Sequence, residues 1–139
     1  MLCVFAHDSI VLMKNFDEWN TLKKRVDDRN RKVYVKEREI WWCTLGLNVG
    51  AEIDGKNQIF ERPVLILKAM SVEAALILPL TTKCPSPKDH VKLIAPKMSS
   101  YVKLSQAKVV SVKRFSRKID IVPKENFLVI KGTFIRYIS

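Results

Sequence analysis

Apolar positions along this chain change their spacing several times, and each change predicts an element. In FDEWNTLKKRVDDR (residues 16–29), Phe16, Trp19, Leu22 and Val26 recur every three to four residues. Asn15 stands ahead as an N-cap and Asp17 and Glu18 fill the first turn, so a short amphipathic helix is predicted. RNRKVYVKERE follows as a charged connector with an extended segment at 33–35. Three apolar runs, at 40–45, 64–67 and 74–80, are short, rich in β-branched or aromatic residues and bounded by Gly, Pro, Asn or Asp, which marks strands. SYVKL (100–104) and AKVVSVK (107–113) predict two more, with Val102 and Leu104 on one face of the first and Lys103 on the other. After Pro123, ENFLVIKGTFIRYI is long and apolar enough for a closing helix, against the lower propensity of its β-branched residues and Gly132.

Within the three-strand stretch the punctuation is informative. Trp41 and Trp42 are adjacent, so their side chains alternate, and the expectation is one indole in the interior and the other under the terminal helix. The loop at 46–59 is long for a compact domain, which predicts functional use or mobility. Arg62 precedes Pro63; its backbone is biased to extended geometry, and Pro63 fits only an edge or a first strand position. The guanidinium is therefore either a phosphate ligand at a strand mouth or a tether to Glu61, Glu52 or Asp54. Pro79 predicts an edge strand or a bulge that re-aims Thr81 and Thr82, although such a pair also occurs as plain turn chemistry. CPSPKDHVKLIAPK (84–97) reads as a proline-rich loop whose His90 is either a general base or simply solvated.

Length and composition, 139 residues with 47% apolar, indicate one domain with a moderate core plus appended helical segments. Cys3, Cys43 and Cys84 are odd in number and lack metal-ligand spacing, so neither a disulfide framework nor a zinc site is indicated, and a reducing, cytoplasmic setting follows. No apolar run approaches the ~20 residues of a membrane span. Residues 1–12 make a poor signal peptide, and the expectation is that they are dispensable, with Met13 as the working start. The net charge of +11 and pI near 9.8 favour a polyanionic or acidic partner. Between Lys83 and Lys118 ten basic residues face one acid, Asp89, whereas the strands at 40–82 are close to neutral. A solvated face is the plainer explanation of such clustering. No nucleotide-binding glycine loop, paired-carboxylate spacing or Ser/His/Asp order supports another enzyme class.

EIWWCTLGLNVGAEIDGK (39–56), FERPVLIL (60–67), LPLTTK (78–83) and LSQAKVVSVKRF (104–115), in this order, resemble the PemK/MazF-type toxins, the endoribonuclease half of bacterial toxin–antitoxin pairs. The resemblance spans about 37–118, and a helix like FDEWN also occurs as an N-terminal extension in one branch of that family. It implies a mainly β (α+β) fold, a small SH3-like β-barrel at 37–139 with a C-terminal helix, preceded by a helical extension at 1–36. It further implies a two-fold homodimer that cuts single-stranded RNA such as mRNA, with no metal or other cofactor, and that is silenced by an acidic antitoxin. Carried over by motif, Arg62 is the charge stabiliser and candidate acid, and Thr81 orients the phosphate or the 2′-hydroxyl. Lys56, Thr82, Lys83, Lys103, Gln106 and Lys108 are the corresponding RNA-binding candidates.

The chain departs from the pattern at three places. Ala51 stands where some relatives have histidine; Lys103, Leu104 and Ser105 stand where some have Arg-x-Asp; and Lys108 replaces an arginine two residues after Gln106. These changes remove the histidine and aspartate variant of the mechanism and leave the arginine and threonine variant. The alternative expectation is a weakened or inactive barrel that still binds RNA or antitoxin.

Overall fold

The computed structural model of the chain describes residues 14–139; the expectations for residues 1–12 and for Met13 lie outside the described residues. Helix α1 (Phe16–Asp27) precedes strands β1 (Glu39–Thr44), β2 (Glu61–Ala69), β3 (Ala74–Thr81), β4 (His90–Ile94), β5 (Ser99–Lys103), β6 (Lys108–Ser111) and β7 (Phe115–Ile121), and helix α2 (Lys124–Ile138) closes the chain. Asn15 caps α1 as expected: its Oδ1 accepts from Glu18 N at 3.0 Å and its Nδ2 donates to Glu18 Oε2 at 3.0 Å.

All strand pairs are antiparallel, in the order β4-β5-β3-β2-β1-β7, with β6 beside β3. The fold is thus mainly β, α+β. The expected barrel is not formed as a closed ladder, because no pairing joins β4 to β7 among the described residues. Side-chain alternation along β2 splits the core in two. Leu65 and Leu67 point toward α2 and meet Ile40, Leu78, Phe127 and Ile130, while Val64 and Ile66 meet Cys43, Ile77 and Phe115. Each fully buried aliphatic side chain in these clusters contributes ~1.5–3 kcal/mol.

Several expectations are corrected. β3 is an interior strand, not an edge, and the bulge lies in β2 between Ile66 and Lys68. Pro79 is tolerated because β6 pairs with Ala74–Ile77 and β5 takes over only at Leu80, so the proline occupies the gap between two partners. Pro63 is likewise inside an interior strand, opposite Trp42. Neither tryptophan lies under α2; Ile40 does. The register of β1 against β7 shifts at Ile40/Trp41 and again at Trp42/Cys43. Trp41 accordingly packs beside Phe115, centroids 6.0 Å apart, and Trp42 lies beneath Arg117 at 4.9 Å. The connector at 33–35, expected as an extended segment, runs outside the ladders with Val35 buried. His90 does not sit in a loop but opens β4, and it is buried, its Nδ1 2.7 Å from both Ser86 O and Asp89 Oδ1.

Candidate active site at the mouth of β2 and β3

Val64 opposes Pro79 across the β2–β3 ladder. Continuing that antiparallel register by two residues brings Arg62 level with Thr81, and both line one cleft. The bond from Arg62 Nη1 to Leu80 O, 3.2 Å, fixes this neighbourhood, and Arg62 Nε donates to Asp54 O at 2.9 Å. The tether expected from a carboxylate is therefore supplied by two backbone carbonyls. Two of the five guanidinium N–H groups are used and three remain. Burial lowers the Arg62 pKa, against the opposing influence of Asp54.

The carbonyl of Asp54 is held by the folding of the 46–60 loop. Gly46 N donates to Phe60 O, Gly55 N to Gly46 O, and Lys56 and Glu61 exchange backbone bonds of 2.8 and 2.9 Å. Helix α1 braces the loop from outside. The Trp19 indole packs edge-on to Phe60 and presses on Gly46, where a Cβ would come within 2.1 Å of the ring, and Gly46 has φ +78°, a conformation that favours glycine. Lys14 Nζ pairs with Asp54 Oδ2 at 3.0 Å and also donates to Asn48 O.

Arg62 and Thr81 open onto a cleft of ≈ 250 Å³ that Lys56, Thr82, Trp42 and Ser100 also line. Thr81 Oγ1 accepts from Lys83 N at 3.3 Å, which leaves its hydroxyl proton available, and Ser100 Oγ donates to Thr81 O at 2.9 Å. Lys83 is exposed beside the cleft. The other candidates are elsewhere. Gln106 and Lys108 line a second cleft of ≈ 180 Å³ with Glu52 and Ile53 of the loop. Gln106 clamps that loop, Oε1 accepting from Ile53 N at 2.9 Å and Nε2 donating to Ala51 O at 3.2 Å. Burial, then the nearby Arg114 charge, holds Lys108 below the usual lysine range. Lys103 lines neither cleft and pairs with His90 across β4 and β5; nor does His90 face Arg62.

Sequence reasoning missed Trp42, Ser100 and the role of Glu61. Glu61 is 3% exposed and bonds to Arg117 at 3.3 Å and Ser116 at 3.4 Å rather than to Arg62, and Arg117 in turn covers Trp42. The signal was available only through β7, which the sequence did not reveal. Among the described residues no group of three His, Cys, Asp or Glu side chains is gathered to hold a metal ion.

Fold and site together define a small antiparallel β protein, flanked by two helices, with an arginine and a threonine level at the open end of two central strands. The chain belongs to the PemK-like, MazF-like toxins of type II toxin–antitoxin systems, whose family model matches residues 36–138. Toxins of this family are typically endoribonucleases. Among solved structures, the MazF crystal structure from Deinococcus radiodurans is similar with a TM-score of 0.65 at 16% identity, over 76% of this chain and 97% of that one. A mycobacterial endoribonuclease in complex with its cognate antitoxin gives 0.58 at 12%, over 76% and 95%. The Mycobacterium tuberculosis toxin MazF-mt6 gives 0.55 at 18%, over 73% and 96%. A sequence comparison with curated proteins finds no match.

Proposed function

We propose that this protein is a metal-independent endoribonuclease toxin that cleaves single-stranded RNA through the substrate's own 2′-hydroxyl. The observation that carries the reading is the Arg62 guanidinium, anchored on two carbonyls beside Thr81 with three N–H groups left for a phosphate. In the reaction the 2′-hydroxyl gives its proton to solvent water as its oxygen bonds to phosphorus and the bond from phosphorus to the 5′-oxygen breaks. The 5′-oxygen takes up a proton, and the products are a cyclic phosphate and a 5′-hydroxyl end. Arg62 neutralises charge building on the phosphoryl oxygens and gives a proton to the leaving oxygen, recovering one from solvent afterwards. Thr81 donates to a phosphoryl oxygen or orients the 2′-hydroxyl. Lys56, Thr82 and Lys83 hold the adjoining phosphates, and Lys103, Gln106 and Lys108 serve nucleotides further along the strand.

The same reading gives residues 37–139 as the toxin unit, residues 1–36 as its extension, mRNA as substrate and hence the cytoplasm as location. An acidic antitoxin is the matching protein partner, supported by the +11 charge and by the relative whose structure contains its cognate antitoxin. The exposed apolar side chains of Leu128, Val129, Ile135 and Ile138 on α2 support a two-fold homodimer. Helices that could cross a membrane are absent among the described residues.

The test is incubation with a long single-stranded RNA in EDTA, with end analysis of the fragments. Cyclic phosphate and 5′-hydroxyl ends are expected, and an RNA left intact at every sequence would overturn the reading. The second reading, a protein of this fold that binds RNA or antitoxin without turnover, is favoured by Gln106 being committed to the loop and by Lys108 lacking bidentate geometry. It predicts salt-sensitive RNA binding that is indifferent to substitution of Arg62.

A further inference from the structure

Helix α1 and the turn at Val112–Arg114 enclose a furrow of ≈ 340 Å³ whose walls carry Lys23, Lys24, Lys113 and Arg114 against one acid, Asp27. These four cations have no described carboxylate within ion-pairing distance. Instead, Lys113 Nζ donates to Asp27 O at 2.7 Å and Arg114 Nη1 to Thr44 O at 2.9 Å, while the Arg114 guanidinium lies 6.0 Å over Trp19. Carbonyl dipoles and an indole face hold these groups in place without cancelling their charge. Arg29 and Arg31 extend the row, bonding to the carbonyls of Lys113 and of Phe115 and Ser116.

Lys108 lines the neighbouring Gln106 cleft together with Glu52, and burial followed by the charge of Arg114, itself a furrow residue, lowers its pKa, so Arg114 links furrow and cleft. Lys23 and Lys24 lie on α1, outside the span matched by the family model. We infer that this furrow is an accessory binding site for the phosphates of single-stranded RNA flanking the cut, supplied jointly by the N-terminal helix and the 112–114 turn. The inference rests on the ribonuclease reading above. Trp19 is 6% exposed, so it offers bases no stacking face; recognition runs through the sugar-phosphate backbone and is indifferent to sequence.

The experiment uses the full chain and its Lys23→Ala/Lys24→Ala variant, whose two side chains are exposed on α1. Binding of a four-nucleotide and a sixteen-nucleotide RNA, of uridine or adenine alone, is measured against salt, with thermal melting to verify folding. The double variant is expected to bind the longer RNA more weakly, with a salt slope lower by about 1.4, roughly 0.7 per lost phosphate contact. The loss is the same for both bases and smaller for the short RNA, and Lys23→Arg/Lys24→Arg restores binding. An unchanged slope on the long RNA overturns the inference, as does equal loss at both lengths. Weakened binding of poly-glutamate with RNA binding intact also overturns it, in favour of an acidic protein at the furrow. If wild-type protein cuts RNA in an Arg62-dependent way while the lysine variant behaves as wild type, only the furrow fails. If the wild type binds no RNA, the ribonuclease reading fails with it.

Discussion

Replacing Arg62 by alanine and, separately, by lysine distinguishes its two duties, anchoring and catalysis. The guanidinium spends two N–H groups on Asp54 O and Leu80 O and has three left. A hydrogen bond involving a charged group is worth ~1.5–3 kcal/mol. Because the cleft admits water that can re-satisfy both carbonyls, Arg62→Ala is expected to cost folding only ~1.5–3 kcal/mol in total. Loss of one preorganised donor at a reacting oxyanion costs on the order of 10²–10³ in rate. The alanine variant should lose at least that much while still melting cooperatively. Arg62→Lys keeps the charge, but one ammonium cannot span two carbonyls and also grip a phosphate in two places. Its rate should fall between those of wild type and the alanine variant. Single-turnover cleavage of a defined RNA, with denaturant melts alongside, measures both effects. A folded alanine variant cleaving at the wild-type rate would refute the reasoning, and so would a lysine variant indistinguishable from wild type.

Other consequences can be measured independently. Trp19→Ala removes a buried indole and should destabilise the protein by about 3–5 kcal/mol, read from urea unfolding, and should loosen the 46–60 loop in hydrogen exchange. Gly46→Ala should fold poorly, because the new methyl meets the Trp19 ring and the backbone is left-handed there; a melting temperature equal to wild type would contradict the packing. Burial pushes the Cys43 thiol up to about 12, so iodoacetamide at pH 8 should label exposed Cys84 and spare Cys43 in the folded protein, as mass spectrometry would show. Burial alone would raise the Glu39 pKa, but hydrogen bonds from Lys118, Trp41 and Lys36 outweigh it and hold it below its ordinary value. The stability this carboxylate contributes is therefore full above the unfolded pKa and is lost as pH falls through the depressed folded one. Lys118→Met should flatten that acid-side loss in melts taken between about pH 5 and 2.

What could be read from the chain was whatever depends on neighbours in sequence. The α1 stripe of Trp19 and Val26 and the Asn15 cap are local, and so is the apolar length of α2, which explains why their positions were foreseen. β7 was not. In FSRKIDI the two register shifts against β1 spoil a strict alternation; Arg117 and Lys118 pair with the buried acids Glu61 and Glu39, and Asp120 is itself buried, accepting from Lys97 N. His90 looked like a loop residue because the stabilising partners, Ser86 O and Asp89, occupy a turn that the prolines conceal. Motif order placed Arg62 and Thr81 in one set, and the β2–β3 register explains why they coincide. The same motif evidence grouped Gln106 and Lys108 with them, but the 46–60 loop stands between the two clefts. Such a separation depends on how a loop folds back on itself, which residue types alone do not encode.

The pairing of β1 with β7 joins residues 39–44 to 115–121, and α2 then seals Ile40. During synthesis the first strand can pair with β2 early, but its other edge and the Ile40 face wait for β7 and α2, which follow much later in the chain. A nascent chain therefore cannot complete its core until β7 and α2 are available. A chain terminated before β7 would lack the strand that carries Phe115 and Arg117, leaving its core open beside β1 and Trp42 without its covering guanidinium.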